Sequence, residues 1–181
     1  MTAHRQRFEQ EALPHLDAAY NLARWLCRSP TDAEDIVQEA LLLAFRGFAS
    51  WRGGSAKAWL LAIVRNCHFS ALRHSASRVR LTDAIDDGAA STPDALISTD
   101  TPEQTFMAAD AARNVHALLL ALSPEFREVV VLRELEELSY RDIAAITGVP
   151  IGTVMSRLAR ARAALKTQWL ATNGRTNDDL P

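Results

Sequence analysis

The segment Leu138–Leu165, LSYRDIAAITGVPIGTVMSRLARARAAL, predicts a helix, a sharp turn and a second helix. Ser139 can cap the first helix, with Asp142 three residues further on. Gly148 can supply the left-handed backbone conformation that ends this helix, and Pro150 then lies near the start of the next. This is the spacing of a helix-turn-helix, a motif whose second helix enters the major groove of DNA.

The second helix of this motif has two chemically different faces. At about 100° per residue, one narrow apolar stripe is expected to face the core. The stripe consists of Val154, Leu158, Ala161 and Leu165. The opposite face offers arginines and hydroxyls that suit hydrogen bonds to base edges and phosphates. It carries Thr153, Ser156, Arg157 and Arg160. A solvated basic helix in a bundle would show the same charges, but the glycine turn and the capped helix before it favour DNA binding.

The charges of the chain are unevenly distributed, although its formal net charge is only −2. No Asp or Glu occurs between Glu39 and Asp83, where seven Lys or Arg residues lie. A second basic stretch follows Asp142, and the segment 76–115 between the two is acidic. Two basic surfaces with an acidic connector indicate two contacts with a polyanion.

The rest of the chain predicts helices and almost no strands. Even the only β-branched cluster, REVVVLREL, is flanked by helix formers at helical spacing. The sequence therefore predicts an all-α fold class, with two small helical domains joined by a flexible linker and a helix-turn-helix in the C-terminal one. The predicted divisions are an N-terminal domain at 5–75, a flexible acidic linker at 76–101, a C-terminal domain at 102–170 and a disordered tail at 171–181.

Two helices are predicted in the N-terminal domain. Thr31 and Glu34 form a capping-box pattern, which predicts a helix at 32–48. The segment SWRGGS, Ser50–Ser55, interrupts the helical pattern, and a second helix is predicted at 56–74.

The helix at 32–48 is amphipathic. Its apolar face is formed by Val37, Ala40, Leu41, Ala44 and Phe48. Its other face carries Asp35, Gln38, Glu39, Leu42 and Arg46. A leucine exposed among acids is typical of a protein-docking surface, although a solvated helix face with one stray leucine would give the same pattern.

Several functional classes are not indicated. The five histidines show no metal-ligand spacing, and neither a phosphate-binding loop nor a nucleophile elbow occurs. We therefore expect no catalysis, metal, cofactor or small-molecule substrate. Cys27 and Cys67 are too few for a disulfide framework, and each is expected to be a small core residue. The polar start and the lack of a long apolar run predict a cytoplasmic protein without membrane insertion.

Two blocks of sequence resemble the extracytoplasmic-function group of bacterial σ70-type sigma factors. The first block is DAEDIVQEALLLAFRGFASWRGGSAKAWLLAIVRN, and the second extends from LSPEFREVVV through the helix-turn-helix. The blocks occur in the right order and separation, and the resemblance covers roughly residues 8–170. It implies an alternative sigma factor that binds core RNA polymerase, directs it to specific promoters and assists promoter melting, without catalysis of its own.

The resemblance also implies roles for individual residues of the N-terminal domain. Those placed to dock on core polymerase, at the clamp helices of the β′ subunit, are Asp35, Gln38, Glu39 and Leu42, and the β subunit is a further expected partner. Those placed at the −10 element, where a loop captures a flipped base and the next helix meets the strand, are Ser50, Trp51, Arg52, Gly53, Lys57, Arg65 and Asn66. Trp59 is expected in the core, whereas Trp51 is the better candidate for contact with unpaired DNA. Ala62 and Ser70 replace frequent Arg and Asp in the family.

In the C-terminal domain, the resemblance places Ser156, Arg157 and Arg160 at the −35 element and Thr153 at the DNA backbone. Met155 occupies a position where the family often has a basic residue. The acidic linker corresponds to a connector that runs through the polymerase cleft, although its composition suits a plain tether equally well. The family is typically inhibited by an anti-sigma factor, which is therefore an expected partner.

A stand-alone helix-turn-helix regulator is the alternative hypothesis, with residues 1–75 as a sensing or dimerising module. Such a regulator binds its operator alone, usually as a dimer on a palindrome. A sigma factor is expected to bind DNA specifically only when polymerase is present, so gel shifts with and without core enzyme distinguish the two.

Overall fold

The computed structural model describes residues 2–27, 29–81 and 114–173. All regular elements in these ranges are helical, as predicted. The α-helices are α1 (Thr2–Glu11), α2 (Leu16–Leu26), α3 (Pro30–Gly47), α4 (Ala56–Leu81), α5 (Pro124–Val130), α6 (Tyr140–Thr147) and α7 (Ile151–Asn173). Short 3₁₀ turns lie at Leu13–His15 and Phe48–Ser50, residues 114–120 are helical, and α5 continues as a π-helix at Val131–Leu135. No helix within the described ranges combines the length and the apolar character needed to cross a membrane.

The N-terminal unit, residues 2–81, is built from α2, α3 and α4 packed against one another. The predicted inward face of α3 is confirmed, since Val37, Ala40, Ala44 and Phe48 are buried, although Leu41 is only partly buried. They pack with residues of α2 and α4 in one core, which includes Leu22, Leu60, Leu61 and Val64. The opposite face of α3 is therefore free to present polar side chains to a partner.

The start of α3 differs from the capping-box prediction. The N-cap is Ser29, whose Oγ accepts a hydrogen bond from the backbone N–H of Asp32 at 3.1 Å. Pro30 occupies the first helical position, where its missing N–H and restricted φ are favourable. Thr31 is consequently inside the helix and exposed, so the cap assigned to it was wrong.

Two helices extend beyond their predicted ends. The helix predicted to stop at residue 74 continues to Leu81, because residues 75–81 contain no Gly or Pro to end it. Likewise α7 continues to Asn173, three residues into the predicted tail. The remainder of the predicted linker and tail, 82–101 and 174–181, lies outside the described residues, so the domain limits stay a prediction.

The helix-turn-helix is confirmed in the C-terminal unit, residues 114–173. Ser139 Oγ accepts from the N–H of Asp142 at 3.1 Å and donates to its carboxylate at 2.6 Å. Gly148 has φ 71° and ψ 24°, and its N–H bonds to the carbonyl of Ala144 at 2.9 Å. The carbonyl of Pro150 accepts from the N–H of Val154 at 3.1 Å, so the second helix follows the turn directly. These contacts close α6 and set the direction of α7.

The two units pack directly on each other, with α4 against α6 and α2 against α5. Their buried apolar residues form one continuous cluster rather than two. Arg127 of the C-terminal unit, for example, donates to the backbone carbonyl of Trp25 in the N-terminal unit at 3.4 Å. His116 also lies against the Trp25 ring, with the ring centroids 4.8 Å apart. The charge pattern alone had indicated two separate surfaces, and this contact was not predicted.

Candidate nucleic-acid interface

The outer face of α7 has the exposure that a DNA-reading helix needs. Ser156 and Arg160 are exposed, whereas Thr153 and Arg157 are partly buried at its edge. Ser156 Oγ donates to the Thr153 carbonyl at 3.0 Å, which leaves its lone pairs available to a donor. Met155 is exposed on the same helix and interrupts the polar surface with an apolar side chain.

The opposite face of α7 is anchored in the core, which fixes the direction of the polar face. Val154, Leu158 and Ala161 are buried, and they belong to the same cluster as Ile143 of α6. Leu165 is only partly buried, as the last member of the stripe. Arg162, beside the stripe, pairs with Glu134 of the same unit. Its Nε and Nη2 donate to Glu134 Oε1 at 3.1 Å and 2.5 Å. The arginines on the outer face of α7 are therefore Arg157 and Arg160.

The loop after α3 is organised by an aromatic cluster. The ring of Trp51 stacks on Phe48 with centroids 5.4 Å apart, and it lies 6.0 Å from the ring of Trp59. The guanidinium of Arg7 lies 5.6 Å from the Trp51 centroid, on the same cluster. Trp51 and Trp59 are both half-buried, so the structure places them together instead of assigning one to the core and one to solvent. Only part of the Trp51 ring is available to a base.

The rest of this loop is open to solvent. Arg52, Gly53 and Gly54 are exposed, and the two glycines have φ of 93° and 95°, values that suit residues without a side chain. Ser50 Oγ donates to the Gly47 carbonyl at 2.7 Å, which holds the loop against the end of α3. The loop therefore presents backbone groups and one arginine on a fixed base.

Two basic residues of α4 are bound by the C-terminal unit. Lys57 Nζ lies 2.8 Å from a carboxylate oxygen of Glu136 and donates to its backbone carbonyl at 2.8 Å. Arg65 Nε lies 2.6 Å from a carboxylate oxygen of Glu128. Both glutamate side chains are only 4% exposed. Asn66, by contrast, is exposed. The predicted −10 residues of α4 therefore divide into one that is accessible to solvent and two that are paired with glutamates.

The predicted docking face on α3 is exposed. Asp35, Gln38 and Glu39 are all exposed, and the side chain of Leu42 is 59% exposed. Prediction from the sequence missed two apolar neighbours, Leu43 and Phe45, which are also exposed. The separation of three residues between positions 42 and 45 was a usable signal, because residues at i and i+3 share a helix face. The face is therefore an acidic surface with an apolar end.

An open groove of about 440 Å³ lies between α3 and α4. Its lining includes Glu39 from the predicted docking face, the Trp59 ring, and Ser50 and Asn66 from the predicted −10 set. The groove thus brings hydrogen-bonding groups and one aromatic ring together beside the loop. No pattern in the sequence indicated it, because its lining comes from several separate elements.

The cysteines do not form a reactive centre. Cys67 is buried, as predicted, and Cys27 is partly buried with its Sγ 3.5 Å from Nδ1 of His68. Burial, with a smaller contribution from Asp32, raises the pKa of the Cys27 thiol to about 11. Burial and then the charge of Arg65 lower the pKa of His68. Both groups therefore favour their neutral forms, which is the opposite of a thiolate–imidazolium pair.

Comparisons with known proteins match both units. Residues 13–78 match the family Sigma-70 region 2, and residues 112–165 match Sigma-70, region 4. The "ECF RNA polymerase sigma factor SigE" of Mycolicibacterium smegmatis is 35% identical over 153 residues, which are 84% of this chain and 57% of that protein. The "ECF RNA polymerase sigma-E factor" of Haemophilus influenzae is 35% identical over 150 residues, which are 81% of this chain and 78% of that protein.

A solved structure shares the fold. It is the sigma factor RpoE of Bartonella quintana in complex with the anti-sigma factor NepR, with a TM-score of 0.70 and 33% identity. The match covers 90% of this chain and 96% of that one. Both regions are thus present in the right order, on the fold of a known sigma factor. The chain belongs to the extracytoplasmic-function subfamily of bacterial σ70-type RNA polymerase sigma factors.

Proposed function

Sigma factors direct core RNA polymerase to promoters, and we propose that this chain does so through three surfaces. Asp35, Gln38, Glu39 and Leu42 on α3 dock on the polymerase, at the clamp helices of β′, with further contacts to the β subunit. The loop after α3 and the start of α4 bind the −10 element and assist melting. The outer face of α7 reads the −35 element. The chain spans little more than half of the length of the SigE relative.

The single observation that carries the proposal is the placement of the exposed groups. The acidic and apolar face of α3 and the basic face of α7 each lie opposite a buried stripe of their own helix. A solvated surface helix does not need an exposed leucine beside its acids. An apolar patch with an acidic border suits a basic, partly apolar partner, which supports docking on a protein. The arginines of α7 suit a partner that offers phosphates and base edges, as DNA does.

At the −10 element, the groove and loop offer the groups that an extruded base requires. Extrusion costs a few kcal/mol, which a fitted pocket and phosphate contacts can offset. Asn66 and Ser50 supply hydrogen bonds, and the exposed part of the Trp51 ring supplies a stacking surface. Arg52 and the backbone at Gly53 lie at the rim, where they can approach the strand. Lys57 and Arg65 complete the set once their glutamate partners are displaced.

Transcription in vitro with purified core polymerase, across a library of promoters, tests the proposal. Leu42→Ala is expected to weaken polymerase binding, because it removes an apolar contact at the docking face. Leu72→Ala is the matched control, since Leu72 is equally an exposed leucine of a helix in the same unit. Equal behaviour of the two variants would remove α3 from the docking surface. Specific promoter binding by the chain alone would instead favour a stand-alone regulator.

The −35 part of the proposal is tested by Arg160→Ala on the same library. If Arg160 reads a base, the variant loses about 1–3 kcal/mol of discrimination at one promoter position. A uniform loss across all sequences would demote Arg160 to a phosphate contact. Arg5→Ala controls for the loss of one positive charge, because Arg5 lies on α1 and pairs with Glu9.

An anti-sigma factor is the further partner that we propose. The support is the Bartonella quintana sigma factor, which was solved with its anti-sigma factor and matches nearly the whole of this chain. The apolar end of the docking face, Leu42, Leu43 and Phe45, offers such a protein a surface that polymerase also needs. Competition between the inhibitor and core polymerase for this surface would keep the chain inactive.

A further inference from the structure

We propose that Arg7 of α1 is a further contact for the promoter strand, and that it bonds a phosphate next to a base stacked on Trp51. The inference rests on the proposed function, since it needs the loop after α3 to bind single-stranded DNA at the −10 element. Arg7 lies before the match to Sigma-70 region 2, which begins at residue 13. No motif in the sequence assigned it a role.

The position of Arg7 is fixed by the residue that follows it. Phe8 is buried, and its ring meets those of Phe45 and Phe48 edge-on, with centroids 5.3 Å and 5.4 Å away. Edge-to-face contacts of this kind add to the apolar burial that holds α1 in place. Because Phe48 also carries the stacked ring of Trp51, α1 and the loop are fixed on the same aromatic cluster.

Arg7 lies beside the aromatic stack and does not cover the far face of Trp51. Its guanidinium carbon is 5.4 Å from the Phe48 centroid and 5.6 Å from the Trp51 centroid, and these two rings are 5.4 Å apart. Three nearly equal separations form a triangle, whereas a cation on the far face of Trp51 would lie almost twice as far from Phe48. A base can therefore stack on the exposed part of Trp51 while the Arg7 cation lies next to it.

No acid within the described ranges pairs with the charge of Arg7. Arg5 bonds to Glu9, four positions later on α1, at 2.7 Å. Arg7 has the same opportunity with the exposed Glu11, yet its guanidinium lies against the aromatic rings. Arg7 is itself exposed, and a contact with rings leaves its N–H groups available to an acceptor.

A nucleic-acid strand is the partner that this arrangement fits. A guanidinium can donate two parallel hydrogen bonds to a phosphate, and proteins that bind single strands combine such cations with aromatic rings on which bases stack. Lys57 and Arg65 are paired with glutamates, so their charges are already in use. Arg7 would supply an unpaired cation beside the stacking surface, in addition to the exposed Arg52 of the loop.

The experiment measures the binding of holoenzyme, the full chain with core RNA polymerase, to a fluorescent forked promoter DNA with a single-stranded −10 segment. Affinity is measured over a range of KCl concentrations, since each phosphate contact on a single strand contributes about 0.7 to the slope of log affinity against log salt. Arg7→Gln removes the charge, and Arg7→Lys keeps it. Arg5→Gln is the matched control, because it makes the same change on a side of α1 about 200° away.

Arg7→Gln is expected to lower the magnitude of the slope by about 0.7 and to weaken binding about fivefold at about 0.1 M salt, which is the loss of one such contact. The loss is expected to be the same for all promoter sequences, because phosphate contacts carry no base information. Arg7→Lys is expected to retain the wild-type slope, and Arg5→Gln to match the wild type in both slope and affinity.

Two kinds of result would overturn the contact. The first is unchanged binding of Arg7→Gln, or an equal change in Arg5→Gln, since the effect would then be absent or would belong to general charge. The second is weaker binding of both Arg7→Gln and Arg7→Lys at an unchanged slope, since Arg7 would then only support the loop.

Arg52→Gln separates this inference from the proposed function. If Arg52→Gln lowers the slope and Arg7→Gln does not, the Arg7 contact is refuted while the −10 role of the loop stands. If neither variant changes binding, the loop does not contact the strand, and the −10 role and the Arg7 contact fail together.

Discussion

Gly148→Ala is expected to destabilise the chain through backbone strain alone. Gly148 has φ 71° and ψ 24°, in the left-handed region, which costs a residue with a Cβ about 1–2 kcal/mol. A Cβ built there meets nothing within 4 Å, so no steric clash adds to this strain. The alanine also restricts the unfolded chain, which returns about 0.4–1 kcal/mol. The free energy of unfolding is therefore expected to fall by about 1 kcal/mol.

Gly152→Ala is the matched control, because it makes the same chemical change four positions later with the opposite sign. Gly152 lies in α7, has no positive φ and also has open space around a built Cβ. Alanine there is expected to stabilise the chain by about 0.5–1 kcal/mol, from helix propensity and from the unfolded state. Thermal unfolding followed by circular dichroism measures both variants.

The two melting temperatures are expected to move in opposite directions, by about 2–4 °C for each kcal/mol in a chain of this size. Gly148→Asn should lie between the wild type and Gly148→Ala, since asparagine tolerates the left-handed region better than alanine does. Equal shifts of Gly148→Ala and Gly152→Ala would refute the assignment of a strained turn at position 148. The −35 selectivity of Gly148→Ala should also fall if the turn sets the direction of α7.

Three other measurements follow from buried groups. Burial raises the pKa of the Cys27 thiol from 9.0 to about 11, so at about pH 8 its thiolate is roughly a hundredfold less populated in the folded chain than in the unfolded chain. Alkylation should therefore accelerate on unfolding. Rapid alkylation of the folded chain would contradict this expectation. Burial lowers the pKa of His68, so the folded chain binds this proton less readily than the unfolded one, and stability should decline as pH falls below 6.5. His68→Gln should reduce that decline in melting temperature, and an unchanged decline would exclude His68 as its source. Leu158→Ala should cost about 2–5 kcal/mol in urea unfolding, whereas exposed Met155→Ala should cost about 0.5 kcal/mol or less.

Features that depend on neighbours along the chain were predictable. The cap at Ser139, the left-handed turn at Gly148 and the buried stripe from Val154 to Ala161 each involve residues within a few positions of one another. Where two local signals competed, the prediction failed. The segment SPTD offers both Ser29 and Thr31 as caps, and only the position of Pro30 at the first helical residue decides between them.

Features that depend on the shape of a loop were predicted incompletely. Trp51 and Trp59 were assigned to different environments because one lies in a glycine-rich segment and the other in an apolar run. The structure places both beside Phe48, with the Trp51 ring stacked and the Trp59 ring tilted, since the 3₁₀ turn at the end of α3 folds the loop back on the helix. Similarly, the groove with Asn66 combines residues whose separation along the chain carries no periodic signal.

The amino-acid sequence alone determined the helical class, the helix-turn-helix and the family, because periodicity, capping and turn chemistry act over a few residues. The tertiary structure alone decided that Lys57 and Arg65 meet Glu136 and Glu128. Each of these residues looks like an ordinary surface charge in its local sequence. Which charges lose their water, and which find a partner, depends on how α4 packs against the C-terminal unit, and that packing brings together positions more than sixty residues apart.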